Sequence, residues 1–195
     1  MNNFVDRISF KWYFKRGDDL ILENLVKLFE LVASRINFFS TIYFKLFGYR
    51  VFQEVKALRI SKNDKVLQIG SGALPYTAEI IAKLTGAKVV AIDNDPLMVV
   101  GAREYLKKKG VKNVKVLFGD GVNFPLENFT VIYIALGVYP LEQILKRIIK
   151  EGEGKRVIFR TPIHPLARAY NRSARIHVEE KSLGGRLRKS KILIL

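Results

Sequence analysis

The hydrophobic pattern changes character twice along this chain of 195 residues. Between residues 18 and 47, Leu22, Leu25, Val26, Phe29, Val32, Ile36 and Phe39 recur at spacings of three and four, which predicts helix. Leu20, Ile21, Leu28, Leu31 and Phe38 occupy other faces, so this helix is expected to be buried on several sides, as a cover on the main domain. From residue 65, short apolar runs alternate with amphipathic ones. KVLQIG (65–70), KVVAID (88–93), VKVLFG (114–119), FTVIYIAL (129–136) and KRVIFRTP (155–162) read as strands. PYTAEIIAKLTG (75–86), PLMVVGAREYLKKKG (96–110) and PLEQILKRIIKEG (140–152) read as the helices between them. Strands that are apolar on both faces and alternate with helices predict a doubly wound, mostly parallel α/β sheet. The pattern sets an N-terminal helical extension or cap at 1–62 and the main domain at 63–195.

The tail breaks the alternation. ARIHVEEKSLGGRLRKSKILIL has two alternating runs separated by SLGG, which predicts an antiparallel hairpin with its turn at those residues. A parallel sheet that ends in such a hairpin resembles the class I S-adenosylmethionine (SAM) methyltransferase fold, a Rossmann-like architecture. The last strand of that fold inserts antiparallel between its neighbours.

Composition narrows the functions available. Apolar residues make up 49% and cysteine is absent. That fraction fits a globular chain with a real core. The missing thiols exclude disulfides, thiolate zinc sites, iron–sulfur clusters and a Cys nucleophile. The N-terminal run MNNFVDRISFKWYFKRGDD is interrupted by charge too often for a signal peptide. The most apolar stretch, INFFSTIYF (36–44), is about half of the ~18–20 residues that a bilayer span needs. A cytoplasmic, non-spanning protein is expected, with a membrane-surface anchor at the aromatic and basic N-terminus as the lesser reading.

The formal charge of +16 is unevenly spread. Residues 1–65 carry +5, residues 66–154 carry +2 and residues 155–195 carry +9. Arg168, Arg172, Arg175, Arg186, Arg188, Lys189 and Lys191 crowd the tail, so it is expected to meet RNA, an anionic small acceptor or an acidic partner. A solvated Lys-rich surface is the bland alternative.

The strongest local signal is QIGSGALPYT (68–77). A strand ends at Ile69, Gly70 and Gly72 flank Ser71, and Pro75 opens a helix. Asp93 ends the second strand 21 residues after Gly72, where a carboxylate can accept hydrogen bonds from both ribose hydroxyls of a nucleotide. The third glycine of the dinucleotide fingerprint is replaced by Leu74 and Pro75. The third strand ends in Gly119-Asp120-Gly121, where SAM enzymes commonly set an acid against the adenine amino group. SAM is therefore expected over a dinucleotide, held by Gly70, Ser71, Gly72, Asp93, Asn94, Asp120, Gly121 and Ala135.

Within that superfamily the chain resembles nicotianamine synthase. GSGALP (70–75) is similar to that family's GSGxLP turn, and AIDND (91–95) to its second-strand acid segment. IALGVYPLEQILKRI (134–148) is similar to its fourth strand and following helix. FRTPIHPLARAY (159–170) resembles its RSAHGAR segment, with Arg160 at the arginine and Thr161 at the serine. His164 is displaced by one position, Gln68 stands where many SAM enzymes carry an acid, and family members usually have more chain before the core.

The residues leave the reaction open. Tyr76 and Tyr139 follow the first and fourth strands at the carboxyl edge, where ligands bind, and are catalytic candidates beside the packing role of ordinary tyrosines. The nicotianamine synthase resemblance adds Glu54, as a carboxylate to hold an amine. His164 is a candidate base. His164 and His177 are 13 residues apart on different elements without an acid cluster, so no metal site is expected. AlaLeuGlyValTyrPro (135–140) lacks the Asn-Pro-Pro-Tyr loop of many amino-methyltransferases. Three functions remain: a SAM-dependent methyltransferase with an unidentified acceptor, transfer of the aminocarboxypropyl group of SAM, or a non-catalytic module that binds RNA or an acidic partner.

Overall fold

The computed structural model describes residue 28, residues 48–162, 183–185 and 188–195. Of the predicted helical segment 18–47, only Leu28 is among them; it is helical and exposed. Residues 48–57 form a helix, α1. Then come β1 (Lys65–Ile69), α2 (Tyr76–Thr85), β2 (Lys88–Asp93), α3 (Pro96–Lys108), β3 (Val114–Phe118) and β4 (Val131–Ile134). The chain continues through α4 (Leu141–Glu151), β5 (Arg156–Pro162), β6 (Leu183–Gly185) and β7 (Arg188–Ile194).

The seven strands form one sheet in the order β3-β2-β1-β4-β5-β7-β6. β1 to β5 are parallel, with Val66 opposite both Val89 and Val131. β7 runs antiparallel between β5 and β6, as the resemblance to class I methyltransferases implied. One detail of the hairpin differs from expectation. Leu183, Gly184 and Gly185 are not the turn but β6 itself, and Gly185 pairs with Arg188. Pairing with β7 overrides the turn propensity of two glycines, as neighbouring strands often do. The fourth strand is also shorter than its apolar run, because the chain turns away after Ile134 towards Gly137, which has φ +86°.

Alternate side chains of each central strand enter separate cores, which is why the strands are apolar throughout. On one face Val66, Val89, Ala91, Val131 and Ile158 pack with Val51, Val55 and Leu58 of the α1 region and with the inner sides of α2 and α3. On the other, Leu67, Ile69, Ile132, Ile134 and Phe159 pack with Ile144, Leu145 and Ile148 of α4. Each such buried aliphatic side chain contributes about 1.5–3 kcal/mol. Arg156 anchors the end of α1 by donating to the carbonyls of Leu58 (2.7 Å) and Arg59 (3.1 Å). No helix among the described residues is long and apolar enough to cross a membrane.

Candidate active site

The turn after β1 is built around left-handed backbone. Gly70 and Gly72 have φ of +81° and +61°, conformations that a side chain would strain. The N–H groups of Gly70 and Ser71 both donate to the carbonyl of Ile92, which ties the turn to β2. The Gly72 N–H then donates to Asp93 Oδ2 at 2.8 Å, and the Asp95 N–H to Asp93 Oδ1 at 3.1 Å. Each carboxylate oxygen retains a further lone pair, the valence needed to accept from two ribose hydroxyls. Burial raises the Asp93 carboxyl above its ordinary value, against the pull of the Gly72 and Asp95 N–H groups. Two additional donors would relieve that cost, so the donor and acceptor set fits the nucleoside of SAM.

Strand register arranges a row at the carboxyl edge. One residue beyond the paired Ile92, Ile69, Ile134 and Phe159 stand Asp93, Gly70, Ala135 and Arg160. An acid lies at one end of this row and a cation at the other, with two residues of little bulk between them. Beneath Gly70, the Gln68 amide donates to its carbonyl at 3.0 Å. Gln68 Oε1 is buried and has no hydrogen-bond partner among the described residues. A buried polar atom in that state marks a place where a donor is welcome.

The other expected cofactor residues are more scattered in role. Asn94 is exposed beside Asp93. Asp120 is also exposed, and its carboxylate accepts from the Val122 N–H at 2.9 Å, so it shapes its own turn as well as facing outward. Gly121 is buried, and a Cβ there would lie 2.6 Å from Ile69 Cγ2 and 3.0 Å from Ile144 Cδ1. What requires glycine at that position is protein packing. The same holds in part at Gly70, where Val138 Cγ2 would meet a Cβ at 2.6 Å. Tyr139 is 64% exposed on the loop after β4.

Glu54, Tyr76 and Arg160 form one cluster. Arg160 donates to both Glu54 oxygens, from Nε at 3.1 Å and Nη2 at 2.7 Å, and from Nη1 to the Tyr76 hydroxyl at 2.9 Å. Ser190 of β7 donates to Glu54 at 2.5 Å, and Tyr133 of β4 donates to its other oxygen. Arg50, one turn before Glu54 on α1, bonds Glu54 at 3.2 Å and the Ser190 hydroxyl at 2.9 Å. The Arg160 guanidinium also lies 5.0 Å from the Tyr133 ring centre. Glu54 is fully buried and Arg160 4% exposed.

Electrostatics fix the protonation states in this cluster. Burial pushes the Glu54 carboxyl up, but the bonds and charge of Arg160, with the Ser190 and Tyr133 hydroxyls, hold it below its ordinary 4.5. Burial, with the Glu54 charge beside it, pushes the Tyr133 phenol well above its usual range. Glu54 is therefore an ionised acceptor with its oxygens occupied, set inside the cluster and not on an open wall. Tyr76, at the first residue of α2, is half buried, as is Arg50 on α1.

The sequence pointed to Tyr76 by its place after the first strand, and to Glu54 and Arg160 only through the family resemblance. Tyr133, Thr77, Ser190 and Arg50 carried no signal, because a Tyr in a strand and a Ser in a basic tail look ordinary. His164 and His177 lie outside the described residues, as do Arg168, Arg172, Arg175 and Arg186. Arg188, Lys189 and Lys191 lie on β7.

Comparison with known proteins agrees with this architecture. The chain matches the protein-L-isoaspartate(D-aspartate) O-methyltransferase family over residues 28–177. The protein-L-isoaspartate O-methyltransferase of Methanoculleus marisnigri is 33% identical over 144 residues, covering 70% of this chain and 62% of that protein. The L-histidine 2-aminobutanoyltransferase of Yersinia pestis is 29% identical over 132 residues, covering 62% of this chain and 49% of that protein. The match thus spans less than two thirds of either relative. Among solved structures, a mutant of MtNAS in complex with SAM superposes with a TM-score of 0.66 at 17% identity, covering 90% of this chain and 74% of that one. That likeness shows the shared fold, and SAM is the cofactor that the fold and the family imply. With the match covering most of its length, the chain belongs to the protein-L-isoaspartate(D-aspartate) O-methyltransferase family.

Proposed function

We propose that this protein is a SAM-dependent transferase that seats its cofactor along the row from Asp93 to Arg160 and transfers a methyl group. The observation that carries this reading is the Asp93 carboxylate, fixed by the Gly72 and Asp95 N–H groups with a lone pair left on each oxygen. Bound SAM would supply an electrophilic methyl carbon, which an acceptor lone pair would bond as the C–S pair returns to sulfur and leaves a neutral thioether. The chain's own residues position and desolvate. Gly70, Ser71 and Gly72 shape the turn, Asp93 with Asn94 takes the ribose, Asp120 takes the adenine amino group, Ala135 leaves room, and Gly121 lets the loop that carries Asp120 pack against Ile69 and Ile144. Tyr76 meets the acceptor. Glu54 is a positioning residue, acting through Arg160 on the Tyr76 hydroxyl, and Tyr139 borders the entrance. The family's name points to a carboxyl oxygen as acceptor.

Transfer of the aminocarboxypropyl group is the second reading. The likeness to an aminobutanoyltransferase favours it. Incubation with SAM and candidate acceptors separates the two: S-adenosylhomocysteine marks methyl transfer and methylthioadenosine marks the other. SAM binding is expected to weaken at least about tenfold in Asp93→Ala, since each good charged hydrogen bond is worth about 1.5–3 kcal/mol. Unchanged binding would remove the proposed site. The basic tail supports an anionic acceptor or RNA as a further partner. RNA affinity through it would fall about tenfold or more between low and physiological salt, and salt-independent binding rejects that role.

A further inference from the structure

The near-neutral middle of the chain conceals a concentration of charge. Arg103, Lys107, Lys108, Lys109, Lys112 and Lys115 are six of the eleven basic residues in 66–154, with Glu104 the one acid among them. None of the six forms an ion pair among the described residues. Three of them border a groove of about 390 Å³ between α3 and β3, whose floor is Leu106, Val111, Val114, Val116 and Leu117. Arg103, Lys107 and Lys115 form its rim.

β3 is the outermost strand of the sheet. The bonds Val89 N–H to Asn113 C=O and Gly119 N–H to Asp93 C=O fix which of its backbone groups face β2. Residues 113, 115, 117 and 119 face inward, so Val114, Val116 and Phe118 direct their N–H and C=O groups away from the sheet. The Val116 carbonyl accepts from Arg103 Nε at 2.9 Å, a side-chain bond where a neighbouring strand would otherwise donate. A strand edge beside an apolar floor, rimmed by unneutralised cations, suits an extended chain that brings its own carboxylates.

We propose that this groove docks an acidic, extended peptide segment of a partner protein, which adds a strand to β3 and places its carboxylates against Lys107 and Lys115. Five strand residues span about 17 Å, enough to set the register of such a segment. A nucleic acid is the less suitable anion, because none of the eight lining residues is aromatic and Phe118, exposed at the end of β3, is a single stacking surface outside that lining. A second copy of this chain would bring like charge to the same edge. The proposal does not rest on the transferase reading.

The test uses the full chain and a fluorescein-labelled ten-residue peptide that alternates Glu with Val, read by anisotropy. Binding is expected at 50 mM salt and weakens by about fivefold or more at 300 mM. The double variant Lys107→Glu, Lys115→Glu is expected to lose about tenfold or more in affinity, and a peptide with alternate backbone nitrogens methylated loses a similar factor. Both lysines are exposed, so an unchanged melting temperature of the double variant reports an intact fold. The proposal is overturned if the peptide does not bind, or if charge reversal or N-methylation leaves its affinity unchanged. Tighter binding of oligouridylate than of the peptide through the same two lysines overturns it as well.

Discussion

Two arginines on β5, Arg156 and Arg160, stand four residues apart on the same face and do the same thing at opposite ends of the sheet. Each holds a carboxylate from the segment that precedes β1: Asp64 for Arg156 and Glu54 for Arg160. Their surroundings differ. At the amino end the remaining partners are local scaffold groups, the Leu58 and Arg59 carbonyls on Arg156 and the Ser61 N–H and Thr130 hydroxyl on Asp64. At the carboxyl end they are the hydroxyls of Tyr76, Thr77, Tyr133 and Ser190, drawn from three elements, and the Arg50 guanidinium of α1. The Arg156 side chain is 26% exposed, whereas that of Arg160 is 4% exposed. Since ligands of open α/β sheets bind at the carboxyl ends, the same ion pair is a scaffold clamp at one end and part of the candidate site at the other.

The largest expected effect separates these pairs. Arg160→Leu leaves the Glu54 charge buried without its main partner and should cost about 3–5 kcal/mol in chemical denaturation. The double variant Glu54→Leu, Arg160→Leu should recover much of that stability but not the transfer activity. Recovery of both would reduce the cluster to scaffolding. Arg156→Ala should cost less, about 1–2 kcal/mol, because water reaches that pair, and should leave turnover unchanged.

Acid titration probes the same two pairs through the sign of each shift. The Glu54 and Asp64 carboxyls are both held low, so their contributions are complete above their ordinary values of 4.5 and 3.8 and are lost as pH falls through the lower folded-state values. Asp93 is raised, so it favours folding below 3.8 and loses that contribution as pH rises through its folded-state value. Asp93→Asn should therefore leave the ligand-free protein at least as stable as the parent at pH 7, with the advantage shrinking towards pH 3, while SAM binding is lost. A variant that is less stable at pH 7 than at pH 3, relative to the parent, contradicts this account of Asp93. The smallest effect is at Gln68: Gln68→Leu removes an unpaired buried oxygen and should stabilise the ligand-free protein by about 1 kcal/mol. Its melting temperature checks this, and a fall would mean that the Gly70 carbonyl bond outweighs the orphan.

The alternation of apolar strands and helices was legible because each element carries its own period. The predicted β2 and the described β2 have the same bounds, 88–93, and β1, α3 and β5 differ from prediction by no more than two residues at an end. Asp93 and the Gly70–Gly72 turn were legible for a related reason, as strand end, glycine turn and acid follow in short order. The hairpin turn was misplaced because Gly184 and Gly185 have strong local turn propensity, and only β7 holds them in a strand. Gly121 was read as one of the residues that hold SAM, yet Ile69 and Ile144, 52 and 23 residues away in sequence, are what demand its missing side chain.

The net charge by segment shows the same limit. A value of +2 for residues 66–154 was correct as a sum and hid six cations within residues 103–115, three of which border the groove beside the outermost strand. Periodicity and turn chemistry act over a few residues, so the linear chain was enough to set the strands, the nucleotide-type turn and the acid that ends β2. It took the folded arrangement to make Glu54, Tyr76, Tyr133, Arg160 and Ser190 one group, with Glu54 and Ser190 136 residues apart. Burial in a shared low-dielectric site turns such separate residues into a single electrostatic unit, and no local pattern along the chain records it.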